Sequence, residues 1–248
     1  MILAVCGKGG VGKTTISAVA AKALRDRGGA RSLVVDADPA GGLGVALGVR
    51  SGKTLNDVRK EIISEVRAGG RDPKDLAVGV DYLLAEALSG EGNLAFLSIG
   101  RPEDEGCYCK VNVLLKDAIE GLADRFDSVV IDAEAGIEQV NRKVMSAVDY
   151  ILLVSDTTAK GARVAEAINE VAGRMVGGSG SGLVINRARG ANEVGRVSAG
   201  TSLEVIGWVP EDDTIRRFDE SGASLFGLPK CPAETAMIEV LSQAGIFD

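Results

Sequence analysis

The chain has 248 residues and carries 28 basic against 35 acidic side chains, so its formal net charge is −7. Because 46% of the residues are apolar and only 25% are charged, the chain can bury a core and is not a disordered polyelectrolyte. The acidic balance gives no long-range attraction to phosphodiester backbones or anionic lipid. We therefore expect neither nucleic acid nor a membrane as a partner.

Cysteine and histidine usage narrows the chemistry further. Four cysteines are too few for a disulfide scaffold, and neither a signal segment nor an apolar run of about 18 residues is present, which predicts a cytoplasmic protein. Histidine is absent, so a metal site must use cysteine, carboxylate, backbone or water. For the same reason a general base is expected to be a carboxylate.

Short apolar runs alternate with longer stretches of helical period, which is the rhythm of a parallel sheet covered by helices. Strands are predicted at residues 2–5, 32–35, 94–99, 128–131, 150–154, 183–185 and 203–209. Helices are predicted at residues 14–26, 55–67, 111–124, 160–172, 214–220 and 233–244. This pattern indicates an α/β fold, a doubly wound, mostly parallel sheet with helices on both faces, in a single domain over residues 1–248. Residues 50–93 are expected to form a helical insertion, and residues 177–182 a flexible turn.

The first predicted strand runs into a glycine-rich loop at residues 7–15, Gly-Lys-Gly-Gly-Val-Gly-Lys-Thr-Thr, which precedes a helix. The G-x-x-x-x-G-K-T pattern is typical of loops whose backbone N–H groups and following helix N-terminus surround a phosphate group. Lys13 is expected to contact the β- and γ-phosphates of bound ATP, and the Thr14 hydroxyl to ligate Mg²⁺. The other nucleotide contacts of ATP or ADP are expected from Gly9, Gly10, Val11, Gly12 and Thr15. A glycine-rich turn that binds no ligand is the alternative.

Lys8 is a second lysine at the head of this loop. It makes the sequence resemble the deviant Walker A ATPases, which include nitrogenase iron protein, the MinD and ParA positioning ATPases and the metal-centre maturation ATPases. In that group two protomers face each other with nucleotide between them. The resemblance implies a homodimer in which Lys8 reaches the partner's site and acts there catalytically, as an arginine finger does. The alternative is an exposed loop lysine.

Two predicted strands end in acidic residues, at the edge where open parallel sheets bind ligands. Asp36 and Asp38 follow the second strand, and Asp132 follows the fourth. The resemblance implies that Asp132 coordinates Mg²⁺ through water, that Asp36 adds an outer-sphere metal contact and that the N–H of Gly136 senses the γ-phosphate. Asp38 is our candidate for holding or deprotonating the attacking water, since no histidine competes for that role. The alternative for Asp38 is an Asx turn before the following proline.

Two later strand ends complete the expected nucleotide site. In related ATPases an asparagine at the position of Asn186, just after the strand at residues 183–185, hydrogen-bonds the adenine base. The loop that begins at Pro210 would supply a wall of the base pocket. Neither feature is specific alone, and Asn186 could instead only terminate its strand.

Cys107 and Cys109 lie in a loop between the strand predicted at residues 94–99 and the helix predicted at residues 111–124. Two thiolates do not complete a tetrahedral site, and no histidine can add the missing ligands. In a two-fold dimer whose loops meet on the axis, however, the pair becomes four thiolates, enough for Ni²⁺ or Zn²⁺ at the dimer interface. Two free loop thiols are the alternative, and Cys6 is expected to be a core residue.

Four features together resemble the CooC-type ATPases, which mature nickel carbon monoxide dehydrogenase. They are the deviant Walker A loop, Asp-x-Asp-Pro, Gly-Cys-Tyr-Cys before a helix, and Glu-Ala-Gly-Ile-Glu after the second acidic strand. The resemblance covers most of the chain, while residues 50–93 contribute little. It implies that ATP closes the dimer and hydrolysis opens it, which couples metal handling at the cysteines to nickel delivery. The client would be carbon monoxide dehydrogenase or a related nickel enzyme such as acetyl-CoA synthase.

Three other functions compete with this one. A MinD-type positioning ATPase should carry a basic amphipathic tail, whereas the last predicted helix has an apolar stripe suited to covering the sheet and only acidic charges. A ParA-type partition protein needs a surface that binds DNA, which the net charge disfavours. A reductase like nitrogenase iron protein also bridges two protomers through cysteines. It needs two well-separated cysteines per chain around an iron–sulfur cluster, whereas this pair shares one loop.

Overall fold

The computed structural model describes residues 1–50, 52–67, 73–101, 121–133, 148–175 and 180–247. Within these ranges the strands are β1 (Ile2–Gly7), β2 (Ser32–Asp36), β3 (Ser89–Glu91), β4 (Leu94–Ser98), β5 (Ser128–Asp132), β6 (Tyr150–Ser155), β7 (Gly180–Ala188) and β8 (Val205–Pro210). The helices are α1 (Lys13–Arg27), α2 (Gly42–Leu47), α3 (Leu55–Arg67), α4 (Pro73–Ala87), α5 (Ala159–Met175), α6 (Ala191–Ala199), α7 (Asp213–Ser221) and α8 (Pro232–Gln243). A 3-10 helix spans Leu225–Gly227.

These strands form one eight-stranded sheet in the order β3-β4-β2-β5-β1-β6-β7-β8. Every neighbouring pair is parallel except β3 with β4, which is antiparallel. The register places Asp36, the last residue of β2, directly beside Asp132, the last residue of β5. The two acidic strand ends therefore lie side by side at the carboxyl edge of the sheet.

Helices cover both faces of the sheet, because successive residues of each buried strand point to opposite faces. Leu33 and Ile131 pack with apolar residues of α3, α4 and α5 on one face. Val34 and Val130 pack with residues of α1, α2 and α8 on the other. The predicted α/β class, with a doubly wound and mostly parallel sheet, is confirmed.

Most predicted elements are present, with differences at their ends. The helices expected at residues 14–26, 55–67, 160–172, 214–220 and 233–244 are all found within three residues of those bounds, whereas most of the helix expected at residues 111–124 lies outside the described residues. The last strand begins at Val205 and not at residue 203. Two helices were missed, α2 and α6, both of ten residues or fewer. Such short segments carry too few turns for a helical period to stand out.

The prediction of a turn before the strand at residues 183–185 was wrong, because part of that segment is itself strand. The strand expected at residues 183–185 is part of the longer β7, so residues 180–182 pair with β6 and are not a turn, and Asn186 lies inside the strand. The glycines of this segment suggest a turn by composition. In the structure Gly180 and Gly182 serve packing, because a Cβ on Gly180 would come within 2.7 Å of the Tyr150 ring and one on Gly182 within 2.4 Å of the Tyr150 hydroxyl. Tertiary packing here overrides local propensity.

Residues 50–93 are helical only in part. Helices α3 and α4 contribute Val58, Ile62 and Leu84 to one core of the sheet, which fixes the packing that the sequence left open. The segment also supplies β3, an antiparallel edge strand that follows α4 and turns into β4 through two residues. The prediction of a purely helical insertion was therefore incomplete.

The first turn of α3 is held by a capping box, which the Thr-x-x-Asp pattern of residues 54–57 predicts from the sequence. The Asp57 carboxylate accepts hydrogen bonds from the backbone N–H of Thr54 at 2.9 Å and from its hydroxyl at 2.7 Å. In return, the N–H of Asp57 donates to the Thr54 hydroxyl at 3.2 Å. These hydrogen bonds from Thr54 lower the pKa of the Asp57 carboxyl. Aspartate thus closes the box where glutamate is usual.

The C-terminal helix α8 lies on the sheet, as its apolar stripe predicts. Met237, Val240, Leu241 and Ala244 are all buried and belong to the same core as α1 and α2. None of the helices in the described part of the chain is both long and apolar enough to cross a bilayer. The stripe is therefore used for folding.

Truncation of this stripe should cost stability. We expect Leu241→Ala to lower the free energy of unfolding by about 2–5 kcal/mol, because Leu241 is fully buried and its removal leaves a cavity between α8 and the sheet. Urea denaturation followed by circular dichroism measures the change. The exposed neighbour Ser242 supplies the control, since Ser242→Ala should stay within about 0.5 kcal/mol. Equal effects of the two variants would contradict the packing described here.

Candidate nucleotide-binding site

The glycine-rich loop connects β1 to α1 across the carboxyl edge of the sheet. Gly7 ends β1 where a Cβ would meet the Val154 carbonyl oxygen of β6 at 2.3 Å. Gly12 has φ 95° and precedes the first residue of α1, and a Cβ there would meet the Asn186 amide nitrogen at 2.3 Å. Only glycine fits these two positions without displacing a neighbour.

The N-terminus of α1 is left open for an anion. No side chain caps this end of the helix, and no acidic residue lies in its first turn. The first N–H groups of α1 and the positive end of its dipole therefore face the loop without a carboxylate to neutralise them. Lys13, the first helical residue, turns its ammonium back over the loop to the Lys8 carbonyl, 3.4 Å away.

A bulge in β7 braces the loop from the side. The pairing of β7 with β8 shifts register between Ile185 and Ala188, and Arg187 adopts a left-handed backbone with φ 59°. The Asn186 amide donates to the Val11 carbonyl at 2.7 Å, and the Arg187 guanidinium donates to the Gly10 carbonyl at 3.2 Å. Bulges commonly redirect side chains next to functional sites. In the described structure the Asn186 side chain thus holds the loop.

Asp132 is the buried carboxylate nearest to the loop. Its Oδ1 accepts a hydrogen bond from the Ser17 hydroxyl at 3.0 Å, and the Thr14 hydroxyl lies close enough to the carboxylate to lower its pKa. Its Oδ2 is buried and has no hydrogen-bond partner among the described residues. Burial raises the pKa of Asp132 from 3.8 to about 6, with the neighbouring Asp36 charge adding to the rise, while Thr14, Ser17 and Lys13 oppose it.

This arrangement fits a divalent cation. An orphaned buried carboxylate oxygen beside a threonine hydroxyl is an all-oxygen donor set of the kind that Mg²⁺ prefers. A cation held there would favour the ionised form of Asp132 and relieve its desolvation. Thr14 and Asp132, which the sequence assigns to Mg²⁺, therefore lie together at the loop.

Asp36 anchors the start of α2 in the described structure. Its Oδ2 accepts hydrogen bonds from the N–H groups of Leu43 and Gly44 at 3.0 and 3.1 Å, and its Oδ1 accepts from Asp38 at 3.2 Å. The carboxylate thus satisfies the N-terminal donors of α2. Burial raises the pKa of Asp36, and these backbone donors act against that rise. Asp36 anchors α2 beside the site, and its side chain is already engaged in that task.

Asp38 forms the Asx turn that was the alternative to its catalytic role. Its Oδ1 accepts a hydrogen bond from the Ala40 N–H at 2.8 Å, and its carbonyl accepts from the Gly41 N–H at 2.9 Å. The side chain is half-buried, and its Oδ2 makes no hydrogen bond to the described residues. The turn therefore fixes one carboxylate oxygen and leaves the other available.

A cleft of about 250 Å³ opens beside the loop, between β7, β8, α7 and α8. Its lining combines Thr15 of α1 with residues of the other elements, namely Asn186, Arg187, Pro210, Glu211, Asp212, Asp213, Ile215, Arg216, Asp219, Ala233 and Met237. Eight of these twelve residues are polar or charged, and Pro210, Ile215, Ala233 and Met237 supply the apolar part of the wall. Pro210 lies in its wall, where the sequence places it.

Lys8 lies at the exposed mouth of the loop. Its ammonium is 3.9 Å from the Asp156 carboxylate, which follows β6, and both side chains are about one-third exposed. Asp156 is in turn held by the backbone N–H of Thr158 at 3.0 Å and by the Thr158 hydroxyl. An exposed ion pair of this length contributes at most about 1 kcal/mol, so Lys8 can leave it for a stronger partner.

The remaining predicted residues cannot be placed. Cys107, Cys109 and Gly136 lie outside the described residues. Within the described ranges no group of three or more cysteine or acidic residues is arranged to hold a metal ion. Cys6 is a core residue, as expected, and burial raises the pKa of its thiol to about 12. Cys231 is also buried, and its sulfur caps the N-terminus of α8.

Two functional side chains escaped the sequence reasoning. Ser17 orients Asp132 from α1, and Arg187 holds the loop through a bulge that no local pattern announces. A signal for Ser17 exists, because a serine four residues after Lys13 lies on the same side of the helix. None exists for Arg187, since its contact depends on the pairing of β7 with two other strands.

Comparisons with known proteins agree on the family. A family model described as AAA domain matches residues 1–175. An uncharacterized ATP-binding protein of Methanocaldococcus jannaschii is 36% identical over 239 residues, covering 93% of this chain and 92% of that protein. The carbon monoxide dehydrogenase accessory protein CooC of Rhodospirillum rubrum is 29% identical and covers 99% of this chain and 98% of its own length. The septum site-determining protein MinD of Bacillus subtilis is 25% identical, and the match covers 95% of this chain and 85% of that protein.

Solved structures share the fold. The MinD cell division protein of Aquifex aeolicus superposes with a TM-score of 0.70 at 23% identity, covering 98% of this chain and 95% of that one. MinD of Pyrococcus horikoshii, solved with Mg-ADP, superposes with a TM-score of 0.67 at 20% identity. The match covers 98% of this chain and 94% of that one. At these identities the likeness extends to the fold alone.

Asp132 should make stability depend on pH. Its pKa of about 6 lies above the unfolded value of 3.8, so the folded nucleotide-free protein loses stability as pH rises from about 4 to above 6. Since asparagine does not ionise, we expect Asp132→Asn to abolish this loss of unfolding free energy, which amounts to at most about 3 kcal/mol. Relative to the wild type, the variant should therefore gain stability between pH 4.5 and pH 8.

Thermal melting without Mg²⁺ or nucleotide measures this difference. Asp124→Asn, at an exposed aspartate near the opposite edge of the sheet, is the control and should leave the pH profile unchanged. Parallel pH profiles for wild type and Asp132→Asn would mean that Asp132 ionises normally.

Proposed function

From the premise that this chain belongs to the AAA domain family and is a P-loop ATPase of the MinD and ParA group, we propose that it is a nickel insertion factor. In this proposal it hydrolyses ATP in the cytoplasm, dimerises around the nucleotide and assists nickel insertion into a client such as carbon monoxide dehydrogenase or acetyl-CoA synthase. The observation that carries the proposal is the Cys107-x-Cys109 pair in a chain that aligns over almost its whole length with CooC.

The nucleotide would be bound by the loop and the cleft described above. The bare N-terminus of α1 and the ammonium of Lys13 face the phosphates, and the cleft beside Asn186 and Pro210 receives the base. Mg²⁺ would be held by the Thr14 hydroxyl and, through water, by Asp132, and it would neutralise charge on the β- and γ-phosphates. The free oxygen of Asp38 would hold or deprotonate the attacking water.

Lys8 would act across the dimer. Its ammonium is exposed at the loop and paired only loosely with Asp156, so a partner's phosphate can compete for it. A cation supplied by the second protomer completes the site only when two copies meet, which would make hydrolysis depend on dimerisation. Gly136, by resemblance, would report the γ-phosphate to the dimer interface.

The cysteine pair would take the metal as cargo. One protomer supplies two thiolates, and a two-fold axis through the two loops would double them to the four that a tetrahedral site needs. Nickel or zinc held this way would be bound or released according to whether the dimer is closed, so ATP hydrolysis could drive transfer to the client.

A positioning ATPase of the MinD or ParA type is the second candidate, supported by the fold neighbours and by the match to Bacillus subtilis MinD. The apolar stripe of α8 is buried in the core, which argues against a membrane-binding role for this helix. A reductase like nitrogenase iron protein is a third candidate. It predicts an iron–sulfur cluster with absorbance near about 400 nm in anaerobically purified protein.

The first prediction of this proposal concerns Lys8. We expect Lys8→Ala to abolish ATP-induced dimerisation or to reduce hydrolysis at least about 1,000-fold, as loss of an arginine finger does, while ADP affinity stays within about twofold. Mass measured by light scattering in ADP and in a non-hydrolysable ATP analogue, together with phosphate release, tests this. Lys230→Ala, at another exposed lysine, controls for loss of charge. Wild-type turnover in Lys8→Ala would contradict the proposal that Lys8 acts in the site of the partner protomer.

The second prediction concerns the cysteines. Anaerobically purified protein should carry one nickel or zinc ion per dimer and no iron–sulfur cluster, and the double variant Cys107→Ser, Cys109→Ser should carry no metal because serine does not replace thiolate ligands. Metal analysis beside the mass in each nucleotide measures this. A matched control is Cys6→Ser, Cys231→Ser, since both of these cysteines are buried away from solvent. Metal retained in the first double variant, or a cluster absorbance in the wild type, would contradict nickel insertion.

A further inference from the structure

We infer that Arg101 is a positioning residue for ATP hydrolysis, which holds the Asp38 turn in its working geometry through the Pro39–Ala40 peptide group. The inference rests on the proposed role of Asp38 in holding the attacking water. It adds to the proposed site a residue that belongs neither to the glycine-rich loop, nor to the acidic residues at the strand ends, nor to the cleft.

The contact that carries the inference joins two strand ends. The Arg101 guanidinium donates from Nε to the Pro39 carbonyl oxygen at 3.2 Å. The N–H on the other side of that same peptide group belongs to Ala40, and it donates to Asp38 Oδ1 at 2.8 Å. A peptide group is planar, so the direction of its carbonyl fixes the direction of its N–H. Arg101 therefore sets the orientation of the donor that fixes the Asp38 carboxylate.

Arg101 is itself held in place from its backbone. The chain continues the pairing of β4 with β2 past the end of the strands, because the Ile99 N–H donates to the Asp36 carbonyl at 2.9 Å. The Ile99 carbonyl accepts from the Asn56 N–H at 3.1 Å, and the Asn56 side-chain amide donates to the Arg101 carbonyl. Asn56 lies in the first turn of α3, which the capping box fixes. The support thus runs from α3 through residues 99–101 to the Asp38 turn.

This support adds to the two backbone hydrogen bonds of the turn, from the Gly41 N–H to the Asp38 carbonyl and from the Asp38 N–H to Asp36, neither of which holds the Pro39 carbonyl. Asp38 is half-buried, Ala40 is exposed, and Pro39 has no backbone N–H to donate. A carboxylate that holds a water must be placed to within a fraction of an ångström, and a 1 Å displacement costs about a hundredfold in rate. Without Arg101 the peptide group can rotate and release Asp38 Oδ1.

The chain offers a matched pair of substitutions at this position. In Arg101→Gln the side-chain amide nitrogen stands the same number of bonds from Cα as Nε and keeps an N–H donor. In Arg101→Met a methyl group stands there and donates nothing. Both lose the charge and keep a similar length, so they differ chiefly in the hydrogen bond to Pro39.

The test is steady-state ATP hydrolysis with excess Mg²⁺. We expect Arg101→Met to lower kcat roughly tenfold or more with KM for ATP within about twofold, and Arg101→Gln to keep most of the wild-type kcat. Arg125→Ala, at an exposed arginine near the opposite edge of the sheet, should change nothing. Equal rates for the Met and Gln variants would overturn the inference, as would a change in KM alone.

A double-mutant cycle separates this inference from the function on which it rests. If Arg101 acts through Asp38, then Arg101→Met should change kcat less than about twofold once Asp38→Asn is present. Wild-type hydrolysis by Asp38→Asn would overturn the proposed role of Asp38. Slow hydrolysis by Asp38→Asn, together with the same fold loss from Arg101→Met in both backgrounds, would overturn only the role of Arg101.

Discussion

Two buried carboxylates at neighbouring strand ends are the constraint around which the site is organised. Asp36 and Asp132 lie side by side in the sheet register, and burial raises the pKa of both. Two like charges this close need separate partners. Asp36 finds them in the backbone of α2, whereas Asp132 is hydrogen-bonded on one oxygen only, by the Ser17 hydroxyl. The sheet thus places one incompletely hydrogen-bonded carboxylate next to the glycine-rich loop, and a divalent cation held there would satisfy it.

Two strands that flank the centre of the sheet, β7 and β4, support the glycine-rich loop and the Asp38 turn respectively. On one side the bulge in β7 directs Asn186 and Arg187 to the loop carbonyls. On the other, the end of β4 brings Arg101 to the Asp38 turn. Each brace is a polar side chain bonded to backbone carbonyls, so it fixes backbone direction without closing the site. Phosphate-binding N–H groups and a water-holding carboxylate both need this kind of preorganisation.

The family is clear and the biological task rests on a few residues. The fold is shared with MinD and ParA proteins, so it does not separate positioning from metal handling. The Cys-x-Cys pair, the acidic net charge and the use of the α8 stripe in the core favour a metallochaperone. In the proposed metallochaperone, the cysteine pair would act between two copies of the chain, and its task would depend on a client protein.

The sequence by itself determined the α/β class, the loop, the placement of Asp36, Asp38 and Asp132 at strand ends, and the α3 capping box. Those features depend on residue patterns over fewer than about 20 positions, which local physics governs. Only the tertiary structure decided that Asn186 lies inside a bulged strand, that Asp36 caps α2 and that Arg101 reaches Pro39. The first and the last of these depend on strands brought together from distant parts of the chain, whereas the Asp36 contacts reach only seven and eight residues along it, to a helix too short to be recognised from the sequence. Pairing register, and not local propensity, sets where such side chains point.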